Sequence, residues 1–174
     1  MIPAHAIGGG RAVRVGGPLP GFTLPNTAGG STRLWDFKQR RPVFVAFLPD
    51  GARSDTRRWL TSLVERRAQL ADLDAAVLLV FPEPVERLRA LQASLDLPFT
   101  LLSDESSAVT RLYAAGGELT ATVTMVAADR YLQCLGLWRA RSVGGFPSLE
   151  EPLTLLLAAE QEDCGCGLPA WPAE

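Results

Sequence analysis

An unbroken apolar run at residues 43–48 constrains the fold more than any other feature of the sequence. No polar residue alternates with the apolar ones, so we expect both faces of this segment to be buried, as in a central strand that is covered on two sides. Pro49 ends the run, and from Ser54 onward apolar residues recur at helical spacing. A buried strand followed by an amphipathic helix predicts an α/β domain.

The rest of the chain continues this alternation and then changes it. The predicted strands are 31–35, 43–48, 75–81, 97–102, 118–127 and 131–138, and the predicted helices begin near 54, 84, 105 and 148. The last two strands follow each other directly and predict an antiparallel hairpin. Right-handed crossovers then give a central mixed sheet with helices on both faces, and a β-α-β half followed by a β-β-α half is the thioredoxin-like arrangement.

The 174 residues are enough for one domain with short tails. Residues 1–17 are rich in glycine and lack periodicity, so they predict a flexible N-terminal arm. Residues 18–162 predict the thioredoxin-like domain. Residues 163–174 form a tail that carries a C-x-C motif.

The composition excludes several classes of function. The formal net charge of −2 provides no basic field for a nucleic-acid partner. No apolar run approaches the roughly 20 residues that span a bilayer, so we expect no membrane partner. The N-terminal segment lacks a secretory pattern, which predicts a cytoplasmic protein with reduced cysteines. His5 is the single histidine and lies in the arm, so no histidine-dependent triad can form.

Several ordered segments resemble the alkyl hydroperoxide reductase and thiol-specific antioxidant (AhpC/TSA) family, the peroxiredoxins of the thioredoxin superfamily. The matching segments are 20–24, 34–37, 43–49, 99–104 and 124–129. The resemblance implies a redoxin fold, an antioxidant oxidoreductase activity without a bound cofactor, and a homodimer.

The sequence departs from this family at its reactive site. In the family, a threonine or serine follows the strand's proline after three residues, and the peroxidatic cysteine follows after two more. Counting from Pro49, these positions hold Arg53 and Thr56. A threonine hydroxyl does not ionise at a helix N-terminus as a thiol does. The family's supporting arginine is also missing from residues 117–126. The resemblance therefore implies a degenerate site, and ordinary peroxidase activity is disfavoured.

Cys164 and Cys166 flank one glycine and form the remaining redox-capable group. Three interpretations are open: a catalytic pair that exchanges with a thiol or disulfide of a partner protein, half of a zinc site completed across a dimer, or a helix end with incidental cysteines. The acidic residues before Cys164 and the helix C-terminus disfavour the thiolate. Cys134 lies inside a predicted strand and is interpreted as a buried structural thiol.

Arg53 and Arg57 crowd the start of the first long helix, where they could hold an anion or could be ordinary solvated surface. The sequence thus predicts a peroxiredoxin-like redoxin without a peroxidatic cysteine, whose thiol–disulfide oxidoreductase activity would depend on Cys164 and Cys166. The alternative hypothesis is a non-catalytic binding or structural module that has kept the fold.

Overall fold

The computed structural model of the chain describes residues 12–115 and 123–164, except for the side chains of residues 162–164. Its strands are β1 (Thr23–Pro25), β2 (Ser31–Arg33), β3 (Val43–Phe47), β4 (Ala76–Phe81), β5 (Thr100–Ser103), β6 (Val123–Ala128) and β7 (Cys134–Ala140). Its helices are α1 (Ser54–Glu65), α2 (Arg67–Asp72), α3 (Val85–Leu95), α4 (Ala108–Ala114) and α5 (Glu150–Cys164). Short 3-10 turns occupy Leu34–Phe37 and Val143–Gly145.

The main sheet has five strands in the order β5-β4-β3-β6-β7. Strands β3, β4 and β5 run parallel, whereas β6 and β7 run antiparallel to their neighbours. Strands β1 and β2 form a separate antiparallel pair. The predicted α/β fold with a central mixed sheet is therefore confirmed.

The unbroken apolar run is buried on both faces, as predicted, because alternate side chains of β3 enter two separate cores. Phe44 and Ala46 pack with residues of α1, α2, α3 and α5 on one face. Val45 and Phe47 pack with residues of α4 and of the β1–β2 pair on the other face. With helices on both faces, neither side of β3 meets water, and a polar residue on either side would be buried without a partner.

The last residues of the flexible arm predicted at 1–17 are packed against the domain, which corrects the prediction for this part. Val13 is only 4% exposed, and the backbone N–H of Gly16 donates to the carbonyl of Cys134 at 2.8 Å. Residues 12–17 therefore pack beside β7. The sequence pattern missed them because this contact joins residues more than 100 positions apart; residues 1–11 lie outside the described part.

Several element boundaries also differ from the sequence pattern. The predicted strand at 31–35 is cut short because Leu34–Phe37 form a 3-10 turn, and the predicted helix near Glu105 begins at Ala108. Strand β6 is described from Val123, and residues 116–122 lie outside the description. Within the described residues, no helix combines the length and apolarity that crossing a membrane requires.

Candidate functional site at the start of helix α1

The turn between β3 and α1 is held by hydrogen bonds to two carboxylates. The Gly51 N–H donates to Glu83 Oε1 at 2.8 Å, and the Ala52 N–H donates to Asp50 Oδ1 at 2.7 Å. These bonds satisfy donors of the loop before the helix. They fix where α1 begins, and therefore which side chain occupies its first turn.

Thr56 occupies that first turn and is completely buried. Its Oγ1 has no hydrogen-bond partner among the described residues. Its backbone N–H donates to Asp55 Oδ1 at 3.0 Å, so the carboxylate of Asp55 occupies the electropositive end of the helix. The position predicted to correspond to a peroxidatic cysteine thus presents a buried, neutral hydroxyl.

Arg53 does not supply a positive charge to Thr56. Its Nε and Nη2 donate to the two carboxylate oxygens of Asp55 at 3.0 and 3.1 Å. The hydrogen bond from Arg53 holds the pKa of the Asp55 carboxyl below its usual value. The guanidinium is about half exposed and is paired with Asp55, two residues later in the chain.

Arg57 faces a different neighbour, helix α3. Its Nη2 donates to Ser94 Oγ at 3.2 Å, and it lines a cleft of about 300 Å³ together with Arg87 and Glu83. Arg53 does not line this cleft. The two guanidinium groups therefore have different partners, and their shared role in anion binding stays a prediction.

Strand β6 contributes a second buried hydroxyl at this end of the sheet. Thr124 pairs with Phe47 at the end of β3, is 1% exposed, and has no partner for Oγ1 within the described residues. Arg139 pairs with Thr124 from β7. Its guanidinium, however, donates to the carbonyls of Tyr113 and Ala115, at the end of α4.

Sequence reasoning missed Arg139. The available signal was an arginine directly after Trp138, the last residue of the strand predicted at 131–138. Its bonds to the end of α4 satisfy carbonyls that the helix itself leaves open. Arg139 therefore stabilises the fold and does not face Thr56.

A family model described as "AhpC/TSA family" matches residues 15–132, which is more than half of the chain. The chain belongs to the AhpC/TSA family. No curated protein matches the sequence of this AhpC/TSA domain. The match to the family model begins at residue 15, inside the segment 12–17 that packs beside β7.

Solved structures similar to this AhpC/TSA protein share its fold at low identity. The Mycobacterium tuberculosis peroxidoxin BcpB is 19% identical with a TM-score of 0.71, covering 83% of this chain and 96% of its own. The reduced Plasmodium vivax 2-Cys peroxiredoxin is 17% identical with a TM-score of 0.74, covering 87% and 84%. A putative thiol:disulfide interchange protein DsbE from Chlorobium tepidum is 21% identical with a TM-score of 0.66, covering 83% and 99%.

Cys134 of this AhpC/TSA domain lies at the opposite end of the sheet from Thr56. It pairs with Ala128, which in turn pairs with Val43 at the start of β3. Burial raises the pKa of its thiol to about 11, an effect that Arg139 partly offsets. The interpretation of Cys134 as a buried thiol is confirmed, and its burial makes it a poor nucleophile.

Cys164 ends helix α5, and that end of the helix also lies away from Thr56. Glu160, one turn earlier, accepts a hydrogen bond from Arg130 Nη2 at 2.9 Å. Arg130 lies in the β6–β7 turn, and its carbonyl accepts a hydrogen bond from the Gln39 N–H before β3. The contacts of the helical turn before Cys164 therefore lie at the end of the sheet where β3 starts.

The proposed redox pair falls at the limit of the description. The side chain of Cys164 and all of Cys166 lie outside the described residues. Among the side chains that are described, no group of three or more His, Cys, Asp or Glu is placed to hold a metal ion. The catalytic and the zinc-binding interpretations of the pair both stay predictions.

Proposed function

We propose that this AhpC/TSA-family protein is a redoxin that lacks a peroxidatic cysteine and exchanges thiols with disulfides through Cys164 and Cys166. The observation that carries the proposal is the hydroxyl of Thr56 in the first turn of α1, where peroxide reduction in the family requires a thiolate. A hydroxyl at this position offers no nucleophile near neutral pH, because the helix dipole is too weak to ionise an alcohol.

The remaining thiols limit where redox chemistry can occur. Cys134 is 1% exposed, and the raised pKa keeps its thiol protonated near neutral pH. A disulfide of a partner protein could not reach it without local unfolding. Cys164 and Cys166 are close in sequence and form the pair best suited to exchange.

The proposed exchange transfers two electrons from the reduced pair to a partner disulfide. The thiolate of one cysteine attacks a sulfur of that disulfide, forms a mixed disulfide and releases one thiolate, which takes up a proton. The second cysteine of the pair then loses its proton and attacks the mixed disulfide, which releases the second thiol. The products are a Cys164–Cys166 disulfide and two partner thiols.

Equilibration in glutathione buffers tests the exchange. The full-length protein is incubated at a series of ratios of reduced to oxidised glutathione, its free thiols are alkylated, and the intact mass is measured. We expect two thiols to oxidise together in one reversible two-electron transition. The Cys134→Ser variant should show the same midpoint, because Cys134 is not part of the pair.

Single-cysteine variants complete the test. Cys164→Ser and Cys166→Ser should each stop at a glutathione adduct and should not form the internal disulfide. None of these proteins should consume hydrogen peroxide faster than the variant without cysteines. A pair that stays reduced in excess oxidised glutathione, or rapid peroxide consumption by the wild type, would contradict the proposal.

A non-catalytic binding module is the second candidate, and the closed environment of Thr56 favours it. The side chain is fully buried, so no substrate can contact the hydroxyl in this conformation. This candidate predicts no exchange at Cys164 and Cys166. A zinc-bridged dimer is a third outcome, which metal analysis of the purified protein would show as one zinc ion for every two chains.

The partner and location proposals follow from the family and the sequence. We propose a homodimer with a thiol- or disulfide-bearing protein partner in the cytoplasm, where the cysteines are reduced at rest. Light scattering on the purified protein measures the oligomeric state. A monomer at micromolar concentration would contradict the homodimer.

A further inference from the structure

A groove that the proposed thiol exchange does not use lies between α2 and the first residues of β4 and β5. It has a volume of about 510 Å³. Its lining is largely apolar, with the nearly buried Leu70, Val77 and Phe99 as the floor and the more exposed Phe37 and Pro98 beside them. This volume and this apolar floor are typical of a site for a small molecule.

Two arginines stand at the rim of the groove, Arg41 and Arg67. Arg41 Nη1 lies 3.5 Å from Asp74 Oδ1; the Arg41 side chain is about half exposed and that of Asp74 is largely exposed. The guanidinium of Arg67 makes no hydrogen bond or ion pair with any other residue in 12–115 or 123–161. The rim therefore carries two positive charges against the single carboxylate of Asp74.

We propose that this groove binds an amphipathic monocarboxylate, such as a medium-chain fatty acid. The carboxylate lies between Arg67 and Arg41, because a guanidinium presents paired donors that match the two oxygens. The alkyl chain lies over this floor and against the side chains of Phe37 and Pro98, which removes its own apolar surface and theirs from water. A phosphate alone would leave the apolar floor uncovered, and a cationic amphiphile would meet two like charges.

A series of ligands tests both halves of the site. Hexanoate, octanoate and decanoate are titrated into the full-length protein below their micelle concentrations, and binding is followed by calorimetry and by amide chemical shifts. We expect the dissociation constant to fall about fourfold for each buried methylene. Decan-1-ol should bind roughly tenfold more weakly than decanoate, because it cannot pair with the guanidinium groups.

Three variants separate specific binding from general hydrophobic adsorption. Arg67→Gln should weaken decanoate about tenfold and leave decan-1-ol unchanged. Ala71→Phe adds an aromatic ring at an exposed position that lines the groove, so it should weaken both ligands. Arg58→Gln, at an exposed position of α1 outside the groove, is the matched control and should bind both ligands as the wild type does.

The comparison of binding constants requires that every variant is folded, so the circular dichroism spectrum of each variant must match that of the wild type. Decanoate and decan-1-ol binding with equal affinity would overturn the proposal, as would Arg67→Gln binding decanoate as tightly as the wild type. The absence of saturable binding would overturn it as well. The glutathione titration does not depend on Arg67, so this proposal and the thiol-exchange proposal can fail separately.

Discussion

At the scale of single residues, Thr56 differs from a reactive cysteine in two ways: its side chain carries oxygen in place of sulfur, and it is completely buried. Replacing sulfur by oxygen at this position removes a group that could ionise. The fold also encloses the hydroxyl without a hydrogen-bond partner among the described residues, which costs stability because a buried donor has lost its bond to water.

This cost gives a direct prediction for Thr56→Val. Valine keeps the shape of threonine and removes the unpaired hydroxyl, so we expect the free energy of unfolding to rise by about 1 kcal/mol. Urea denaturation measures the change. Thr61→Val is the matched control on the same helix, because Thr61 is exposed and its hydroxyl donates to the Arg57 carbonyl. It should change stability by less than about 0.5 kcal/mol. A loss of stability in Thr56→Val would show that the hydroxyl has a partner.

Cys134 gives a prediction about pH. In the Cys164→Ser/Cys166→Ser variant it is the single thiol, and burial raises its pKa from 9.0 to about 11. At pH 8, alkylation by iodoacetamide should be at least about a hundredfold slower in the folded protein than in urea, since the thiolate fraction falls tenfold for each pKa unit. Equal rates in the folded and unfolded protein would show that the thiol is accessible.

The raised pKa of Cys134 also makes the free energy of unfolding depend on pH. Below about pH 9 the thiol is protonated in both the folded and the unfolded state. As the pH rises toward 11, the unfolded state loses this proton first, so the Cys134 contribution to the free energy of unfolding is lost. Cys134→Ala should remove this part of the pH dependence.

At the scale of secondary-structure elements, Arg139 joins three segments that are distant in sequence. From β7 it donates to the carbonyls of Tyr113 and Ala115 at the end of α4, and to that of Val13 at 3.1 Å. Helix α4 has only seven residues, so its end depends on partners outside the helix. One guanidinium therefore fixes both the end of α4 and the N-terminal segment.

Arg139→Gln should destabilise the protein by about 1.5–3 kcal/mol, because charge-assisted hydrogen bonds to carbonyls are lost. Amide hydrogen exchange should become faster at Gly16 and at the last turn of α4, while β3 stays protected. Arg58→Gln, at an exposed position on α1, serves as the control. Unchanged exchange at Gly16 would show that Arg139 does not hold the N-terminal segment.

At the scale of the whole molecule, the start of α1, which holds Thr56, and the end of α5, which holds Cys164, belong to different ends of the sheet. Thr56 follows the end of β3, whereas Cys164 lies beyond the Glu160–Arg130 pair near the start of β3. The first and last Cα atoms of the five-residue strand β3 are about 13 Å apart. A disulfide requires Cα atoms within about 7 Å, so we expect no bond between these two positions in one chain.

Thr56→Cys tests this separation. When the variant is oxidised with diamide at low protein concentration, we expect no intrachain link between positions 56 and 164 in the peptide mass map. Cys164–Cys166 oxidation in the same sample serves as the internal control for the oxidant. An intrachain link between positions 56 and 164 would show that the end of α5 reaches the start of α1.

The apolar pattern alone determined the order of elements and the central place of β3. Residues 43–48 lack any polar side chain, and a strand buried on both faces is what such a run requires. The absence of sulfur at position 56 is likewise a property of the sequence. Local spacing was sufficient for these conclusions because each depends on residues that are near one another in the chain.

The tertiary structure decided how these parts meet. The packing of Val13 beside β7, the bonds from Arg139 to α4, and the burial of the Thr56 hydroxyl all depend on contacts between distant segments. Hydrophobic periodicity identifies which face of an element is buried, but it carries no information about which distant atom that face will meet. For this reason the sequence determined the fold and the missing thiolate, and only the folded chain placed Cys134 and Cys164 away from Thr56.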